Sequence, residues 1–395
     1  MSFKIAIPTY QRYNIKTLSL LKEFNKSDIF LFVANHDEYK KYDNEYPNYN
    51  IIIGTCGIKA QRNFITNYFN EDTIVVSMDD DILEFHDRQN RKLIDAVKDC
   101  VEYLRESKYG LMTFPPTANE YFNNENSYTD GMYLCVGVFH IYKVKKLLQL
   151  TVDFIEDYER SLLYIKHDGA VIRNWDLSYK HRPYNLGGLE TQRDTDTLTL
   201  ETNKLLYKYG NMISYKYKKD KAQIILKKQS NQVIQLPKTN IFNELISLLE
   251  IAKLRKYRDY RVYGHQCNNR KNFPEYNGEV FGYITQRKTG IYCLSANSIS
   301  QPILYNELLR LGKLICPFEF KTIQLNKNLV CPSHTDSNNI GYSMLVSFGD
   351  YTGGEIIIDG IEYNAYCNPI VFNGSLLEHW NKPISSGIKY SLVYF

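Results

Sequence analysis

Short apolar runs alternate with segments of helical periodicity in the first half of the chain. Each apolar run has the length of one strand, and the apolar residues between runs recur every three or four positions. Short strands that alternate with helices are typical of a largely parallel sheet that is covered on both sides. The predicted strands are 3–8, 29–34, 51–54 and 73–78, and the predicted helices are 15–24 and 58–69.

The second half of the chain has a different pattern. A strand over 224–226 is followed by a predicted helix from Asn240 to about Tyr260. Beyond it, short β-type runs are separated by Gly, Pro and Asn, as in an all-β jelly roll. We therefore predict a Rossmann-type α/β domain over 1–232 and a β domain over 233–395, whose core begins at about residue 275.

The composition of the chain is that of a globular protein. Its 395 residues are 44% hydrophobic, which leaves room for two domains with separate cores. No apolar run is long enough to span a bilayer, and no signal peptide opens the chain, so we expect a cytoplasmic or host-nuclear protein without a membrane partner. The eight cysteines lack CxxC spacing, which argues against a zinc site. Abundant Lys, Asn, Ile and Tyr suggest an AT-rich genome, such as a viral one.

Basic and aromatic residues alternate in the middle of the chain. Lysine and arginine can neutralise phosphates while aromatic faces stack on bases, so the pattern fits a nucleic-acid track. It fits a solvated helix face and linker equally well, and the net charge of +4 favours neither interpretation. The residues are Lys216, Lys218, Lys219, Lys221, Lys253, Arg255, Lys256, Arg258, Arg261, Arg270 and Lys271, with Tyr215, Tyr217, Tyr257, Tyr260 and Tyr263.

The C-terminal region contains a spacing that is typical of a metal centre. His334 and Asp336 form a His-x-Asp pair, and His379 follows after enough residues for several strands. Two histidines and one carboxylate can bind Fe(II) on one face and leave other positions open. Those positions suit a 2-oxo acid and dioxygen, and Lys389, ten residues after the second histidine, suits the distal carboxylate of 2-oxoglutarate.

A second candidate metal site lies in the first half of the chain. Asp79, Asp80 and Asp81 directly follow the predicted strand 73–78. Ligands of such sheets bind beyond the carboxyl ends of the strands, where the segment Pro8 to Arg12 also falls. Carboxylate oxygens are ligands for Mg2+ or Mn2+, which commonly share them with a diphosphate.

Several stretches of the first half resemble GT-A glycosyltransferases, and most of all those associated with TET/JBP-type oxygenases. The resemblance covers about residues 3–225, with Asp79 to Asp81 as the DxD motif. The stretches that carry it are 7–12, 54–63, 75–82, 133–140, 156–160 and 187–189.

This resemblance implies a role for each matching residue. The implied donor is a nucleotide-sugar, with a UDP-sugar expected. The implied Mn or Mg ligands are Asp79 and Asp81, and the candidate catalytic carboxylates are Glu156 and Asp157. The implied substrate contacts are Gly187 and Gly188. The implied contacts to the nucleotide-sugar are Pro8, Thr9, Arg12, Arg62 and Asp80. Glu156-Asp157 is equally compatible with the start of a surface helix.

The last 120 residues, about 275–395, resemble 2-oxoglutarate/Fe(II) dioxygenases of the TET/JBP group, which implies a double-stranded β-helix. The stretches that carry this resemblance are 326–328, 334–343, 348–355, 372–374, 379–383 and 387–393. It implies that His334, Asp336 and His379 bind iron, that Lys389 and Ser391 bind 2-oxoglutarate, and that Asn339 contacts the target base. The group usually has arginine where this chain has Lys389, and a lysine there is more like the collagen-type prolyl hydroxylases.

The two resemblances together imply one modification pathway. An oxygenase would hydroxylate the methyl group of thymine (preferred) or 5-methylcytosine in DNA, and a transferase would then glycosylate the new hydroxyl. A rival interpretation is a bifunctional protein lysyl or prolyl hydroxylase and glycosyltransferase, which Lys389 favours. A third is that one domain has lost its activity and only binds DNA.

Overall fold

The computed structural model describes residues 3–115, 124–181, 195–218, 221–226, 233–252, 254–257, 276–285, 290–336, 339 and 341–395. The chain divides into two compact units, Met1–Glu201 and Thr202–Phe395. This division lies earlier than the expected boundary between residues 232 and 233.

Contacts just after residue 201 explain the difference. Asn203 donates a hydrogen bond to the carbonyl of Ile315 (2.8 Å), and the ring of Tyr207 contacts that of Phe318. The hydrophobic pattern predicts that a helix forms here but not which partner it packs against.

The first unit is built on a mixed sheet of eight strands in the order β3-β2-β1-β4-β8-β6-β9-β7. The pairs β3-β2, β2-β1, β1-β4 and β6-β9 are parallel, and the other pairs are antiparallel. Strands β5 and β10 form a separate antiparallel pair. The strands are β1 (Lys4–Pro8), β2 (Ile29–Val33), β3 (Asn50–Ile53), β4 (Ile74–Met78), β5 (Ile82–Asp87), β6 (Leu111–Thr113), β7 (Tyr128–Gly131), β8 (Phe139–Lys143), β9 (Val171–Asn174) and β10 (Leu177–His181).

Helices connect these strands, and the central strands are buried on both faces. All five residues of β4 are buried, as expected for a strand inside an α/β sheet. The predicted strands all form to within a residue or two, which confirms an α/β architecture, although the sheet is mixed rather than largely parallel. The helices are α1 (His36–Glu45), α2 (Ile58–Tyr68), α3 (Leu93–Glu106), α4 (Glu156–Asp168) and α5 (Thr195–Tyr209), with 3-10 helices at Lys16–Leu20 and Lys26–Asp28.

The helix expected over 15–24 is wrong: only the 3-10 helix Lys16–Leu20 forms there. The hydroxyl of Thr17 donates to the carbonyl of Asp79 (2.6 Å) and accepts from the amide of Ile82 (3.0 Å). The segment is therefore held against the aspartate turn that follows β4, which supplies a tertiary constraint that helical periodicity does not reveal.

The second unit contains a large sheet in the order β13-β21-β18-β23-β17-β15-β14, with β16 paired to β15, and a three-stranded sheet β20-β19-β22. Strands β11 and β12 form a separate antiparallel hairpin. The strands are β11 (Ile213–Lys218), β12 (Lys221–Leu226), β13 (Ile234–Gln235), β14 (Arg255–Tyr257), β15 (Tyr276–Thr285), β16 (Tyr292–Leu294), β17 (Thr322–Lys327), β18 (Ser343–Gly353), β19 (Ile356–Ile358), β20 (Ile361–Tyr363), β21 (Ile370–Phe372), β22 (His379–Asn381) and β23 (Ile384–Tyr394).

Two expectations for this unit are wrong. The long helix expected from Asn240 to about Tyr260 is a 3-10 helix, Ile241–Leu245, followed by the short α6 (Ile246–Ile251), and the chain then enters β14. The unit is also not all-β, because two further helices form. They are α7 (Ala296–Ser300) and α8 (Pro302–Ile315).

Helix α8 buries a regular apolar stripe, Leu304, Leu308, Leu311 and Ile315, whose spacing is that of one helix face. No helix in the described part of the chain is both long and apolar enough to cross a membrane.

Gly312 sits where α8 packs on the C-terminal strand. A Cβ at this position would lie 2.3 Å from the ring of Tyr394, which is fully buried. Overpacking of this kind lowers the free energy of unfolding by roughly 1–3 kcal/mol, whereas the higher helix propensity of alanine raises it by about 1 kcal/mol. We expect Gly312→Ala to lower the melting temperature, as measured by calorimetry, whereas Asn306→Ala on the exposed face of α8 should leave it unchanged or raise it. Equal melting temperatures for the two variants would contradict this packing.

Candidate active sites

The first unit contains a cavity of about 390 Å3 beyond the carboxyl ends of β1 and β4. Every site residue predicted for this unit and described by the structure lines it, whereas Gly187 and Gly188 lie outside the described residues. The cavity therefore brings together segments that are far apart in the chain. The predicted residues on its wall are Pro8, Thr9, Arg12, Arg62, Asp79, Asp80, Asp81, Glu156 and Asp157.

The three aspartates after β4 are held by arginines from two segments, Asp80 and Asp81 by Arg12 and Asp79 by Arg62. Asp80 is buried and accepts hydrogen bonds from Thr9 Oγ1 (2.7 Å) and Arg12 Nη1 (2.7 Å), and the same guanidinium nitrogen lies 2.8 Å from Asp81 Oδ2. Burial raises the pKa of Asp80 to about 6, although Arg12 and Thr9 oppose the shift. Asp80 thus anchors the loop after β1, while Asp79 and Asp81 flank it on the cavity wall.

Arg62 is a buried cation on α2 and neutralises the carboxylate side of the cavity. It donates to Ser77 Oγ (2.7 Å), Asp79 Oδ1 (2.8 Å) and the carbonyl of Gly137 (3.0 Å). Its Nε lies 3.9 Å from Glu156 Oε1. Burial alone would lower the pKa of Arg62, but the facing Asp79 and Glu156 raise it overall, so the guanidinium stays charged.

The carboxylates of Glu156 and Asp157 lie at the first turn of α4, where the helix dipole favours negative charge. The alternative of a surface helix start is wrong for Glu156, which is buried on the cavity wall. Burial, together with the neighbouring charge of Asp157, raises the pKa of Glu156 to about 7. Asp157 Oδ2 accepts a hydrogen bond from the amide of Gly137 (3.0 Å). A carboxylate with a pKa near neutrality can act as a general base.

Two residues of α1 that sequence reasoning missed hold the loop after β1. The hydroxyl of Tyr42 lies 2.8 Å from Thr9 Oγ1 and accepts from the amide of Arg12 (3.1 Å). Glu38 accepts from the amide of Gln11, whose φ of 54° is in the left-handed region. No signal in the sequence marks these residues, because their role depends on how α1 packs.

The second unit contains a cavity of about 260 Å3 between its two main sheets. All six site residues predicted for this unit line it: His334, Asp336, Asn339, His379, Lys389 and Ser391. Gln324, Asn326, Trp380 and Asn381 also line it and were not predicted as site residues.

The metal-ligand set is closely grouped at one end of this cavity. The ligand atoms of His334, Asp336 and His379 all lie within 4.8 Å of one another. Asp336 faces both histidines, with Oδ1 3.6 Å from His334 Nε2 and Oδ2 3.6 Å from His379 Nε2. Burial alone would raise the pKa of Asp336, but the two histidines lower it overall, so the carboxylate is ionised. The arrangement fits a divalent metal on three protein ligands.

The outer nitrogens of both histidines are fixed by backbone carbonyls. His334 Nδ1 lies 2.9 Å from the carbonyl of Pro332, and His379 Nδ1 lies 2.9 Å from that of Leu377. Because a carbonyl only accepts, each Nδ1 carries a proton, and each Nε2 is the ring nitrogen that faces Asp336. This is the tautomer that a metal ligand needs.

The backbone holds the ligands in register. His334 and His379 exchange both backbone hydrogen bonds (3.1 and 2.9 Å), and the amide of Asp336 donates to the carbonyl of Gly374 (2.8 Å). A Cβ at Gly374 would lie 3.1 Å from Asp336 Oδ2. Glycine at this position therefore leaves room for the carboxylate.

Lys389 is a buried cation at another part of the cavity wall. Its Nζ donates to the carbonyl of Gly354 (2.5 Å) and lies 5.7 Å from the centre of the Tyr351 ring. Among the described residues, no carboxylate forms an ion pair with it. Burial lowers the pKa of Lys389 to about 8. The charge of Glu355 opposes this shift without forming an ion pair, so this buried ammonium, in a cavity with metal ligands, fits a carboxylate ligand.

Asn339 lies beside the metal ligands. Its Nδ2 is 3.3 Å from both Asp336 Oδ2 and Ser343 Oγ. The structure thus brings Asn339 to the predicted cavity, at the end where the metal ligands are.

Half of the sixteen basic and aromatic residues of the middle segment lie outside the described residues, including Lys253, Arg258, Arg261, Arg270 and Lys271. In the β11-β12 hairpin, the hydroxyl of Tyr215 donates to the carbonyl of Leu236 (2.9 Å) and that of Tyr217 accepts from the amide of Lys238 (2.6 Å). These two tyrosines therefore help to hold the hairpin in place.

No family model and no curated protein matches the chain. Solved structures of low similarity match parts of the chain. A 2OG-Fe(II) oxygenase family oxidoreductase from Burkholderia pseudomallei is 14% identical (42% of this chain, 84% of that chain, TM-score 0.30), and NgTET1 in complex with 5mC DNA is 14% identical (42% and 71%, TM-score 0.29). CMP:2-keto-3-deoxy-manno-octonic acid synthetase complexed with CTP is 11% identical (48% and 93%, TM-score 0.31). At TM-scores this low, these likenesses do not identify a function for the chain.

The metal-ligand geometry predicts the effect of removing one ligand. We expect Asp336→Ala to abolish tight binding of one equivalent of Fe(II), measured anaerobically by equilibrium dialysis, because two histidines alone lack the anionic ligand. The matched control is Asp350→Ala, an exposed aspartate on β18, which should bind Fe(II) as the wild type does. Unchanged Fe(II) binding by Asp336→Ala would contradict the assignment.

Proposed function

We propose that the chain is a bifunctional enzyme that first hydroxylates a pyrimidine methyl group in DNA and then transfers a sugar to the new hydroxyl. The observation that carries the proposal is the second cavity, where His334, Asp336 and His379 share a wall with the buried cation Lys389. A three-ligand metal site and a carboxylate-binding cation are the two parts that a 2-oxoglutarate-dependent oxygenase requires.

The residues of the second cavity fit Fe(II) and 2-oxoglutarate. His334, Asp336 and His379 would hold the metal, and Lys389 with Ser391 would bind the distal carboxylate of the co-substrate. When bound, the iron would couple the oxidative decarboxylation of 2-oxoglutarate by dioxygen to the hydroxylation of a C–H bond. The backbone bridges of the histidines keep the ligands preorganised for this role, and Asn339, which lies beside them, would contact the target base.

The first cavity fits a nucleotide-sugar. Asp79 and Asp81 offer oxygen ligands to Mn2+ or Mg2+, and phosphate oxygens of the donor would complete the coordination. Arg12 and Arg62, which bind the aspartates, would also contact the diphosphate, with Pro8 and Thr9 beside the nucleotide. Glu156 would take the proton of the attacking hydroxyl as its oxygen bonds to the sugar and the nucleoside diphosphate leaves.

The order of the two reactions follows from their chemistry. A methyl group cannot accept a sugar until it carries a hydroxyl, so the oxygenase must act first. Thymine is the preferred target, with 5-methylcytosine as the second candidate. In duplex DNA the base must be flipped out of the stack to reach either cavity, at a cost of a few kcal/mol.

The direct test uses the purified protein with Fe(II), 2-oxoglutarate, ascorbate and either unmodified or 5-methylcytosine-containing DNA. We expect nucleoside mass spectrometry to show one added oxygen on thymidine or 5-methyldeoxycytidine, and none with His379→Ala. Unmodified DNA, together with continued conversion of 2-oxoglutarate to succinate, would contradict a DNA substrate.

Lys389 favours a second candidate function, a protein lysyl or prolyl hydroxylase joined to a glycosyltransferase. Lysine binds a carboxylate through a single ammonium charge, whereas arginine, which is usual in the TET/JBP group, binds it with two parallel hydrogen bonds. The salt dependence of binding separates the two functions. Loss of duplex affinity with rising salt indicates phosphate contacts, and weak DNA binding at all salt concentrations favours the protein substrate.

The raised pKa of Glu156 predicts a pH dependence for sugar transfer. A general base must be deprotonated, so the rate of transfer to hydroxymethylated DNA should rise with pH up to about 7, and fall about tenfold per pH unit below it. We expect Glu156→Gln to lower the rate by about 10²- to 10⁴-fold, while Glu84→Gln, an exposed glutamate on β5, leaves it unchanged. A Glu156→Gln enzyme with the wild-type pH profile would contradict this role.

A further inference from the structure

The second cavity contains a buried amide donor that the proposed mechanism has not used. Asn326 on β17 is 4% exposed and lines the cavity. Its Oδ1 accepts a hydrogen bond from Gln324 Nε2 (2.9 Å), which fixes the orientation of the amide. No described residue accepts a hydrogen bond from Asn326 Nδ2. With its oxygen held by Gln324, the amide leaves Nδ2 available to a ligand in the cavity that accepts a hydrogen bond.

The strand register places Asn326 near the co-substrate cation. Asn326 pairs directly with Ser391 on β23, and Lys389 lies two residues earlier on the same strand. Residues two apart on a strand share a face, and all three line the cavity. Ser391 is the direct neighbour of Asn326 across the antiparallel pair and Lys389 is its diagonal neighbour, so one ligand group can contact all three side chains.

The neighbouring strand leaves room for this amide pair. A Cβ at Gly278 on β15 would lie 3.0 Å from Asn326 Oδ1 and 3.3 Å from Gln324 Nε2. The bare backbone at this position lets Gln324 and Asn326 keep their hydrogen bond. The Gln324–Asn326 pair therefore lies on β17 between two hydrogen-bonded neighbours, β15 and β23.

A carboxylate ligand needs more than Lys389 supplies. It has two oxygens, and an arginine fork can satisfy both, whereas an ammonium acts as a single point charge. The Nζ of Lys389 already donates one hydrogen bond to the carbonyl of Gly354. Ser391 adds one hydroxyl, and a further donor on the same wall would complete the hydrogen bonds to the second oxygen.

We propose that Asn326 Nδ2 donates a hydrogen bond to the second oxygen of the distal carboxylate of the 2-oxo acid co-substrate. Asn326, Lys389 and Ser391 together then bind both carboxylate oxygens, as one arginine does elsewhere, and Gln324 orients the amide. This inference rests on the proposed oxygenase function, and it adds a co-substrate-binding residue to it.

The test measures ligand binding to the Mn(II)-loaded protein without turnover. Trp380 lines the cavity, so its fluorescence can follow binding, with titration calorimetry as a second readout. The two ligands are 2-oxoglutarate and oxalate, which offers similar metal-binding oxygens but has no distal carboxylate.

For Asn326→Ala we expect about tenfold or greater loss of 2-oxoglutarate affinity and unchanged oxalate affinity, since a hydrogen bond to a charged group is lost. Asn326→Asp should lose more, because it adds a negative charge beside the carboxylate. Asn306→Ala on the exposed face of α8 is the matched control and should bind both ligands as the wild type does.

Two results would overturn the inference while leaving the oxygenase proposal intact. One is unchanged 2-oxoglutarate affinity in Asn326→Ala, and the other is an equal loss for oxalate, which would place the residue at the metal end. Wild-type protein that binds neither ligand would instead refute the oxygenase proposal itself. If Asn326→Ala does not fold, Gln324→Met removes only the orienting group and should give a smaller loss confined to 2-oxoglutarate.

Discussion

The pair of backbone hydrogen bonds between His334 and His379 is the constraint on which the second cavity depends. It joins the start of the metal-ligand segment to β22, and a further bond from Asp336 to Gly374 fixes the carboxylate between the two rings. Each imidazole is then oriented by a carbonyl at its Nδ1. The three ligands are thus arranged by the backbone, and the metal would bind to a site that is already formed.

The two cavities differ in whether their buried cations are paired with carboxylates. In the first, Arg12 and Arg62 pair with Asp80, Asp81 and Asp79, so that each guanidinium has an anionic partner within the protein. In the second, Lys389 is buried against a carbonyl and a tyrosine ring, and no described carboxylate forms an ion pair with it. The first arrangement suits a ligand that brings both a cation and phosphates, whereas the second suits an anion alone.

The sequence predicted those parts of the two sites that are set by neighbouring residues in the chain. The strands β1 to β4 follow from buried apolar runs, and the aspartates and the His-x-Asp pair follow strands or turns directly. The same reasoning failed where tertiary contacts decide the local structure. The segment after β1 is a 3-10 helix because Thr17 binds the aspartate turn, and the chain after residue 251 turns into β14 instead of continuing a helix.

Residues that act through others were also invisible to the sequence. Tyr42 and Glu38 of α1 hold the loop after β1, and Gln324 orients Asn326, which lies two residues further along β17. Their importance depends on strand register and helix packing, which no motif records. Helix α8, by contrast, had a clear apolar stripe and could have been predicted from its spacing.

The most direct test of the account is a crystal structure of the protein with Mn(II) and 2-oxoglutarate, solved with anomalous scattering data. We expect one strong anomalous peak at bonding distance from His334 Nε2, His379 Nε2 and the Asp336 carboxylate, with the distal carboxylate of the co-substrate at Lys389. A metal peak elsewhere, or a co-substrate bound away from Lys389, would contradict it.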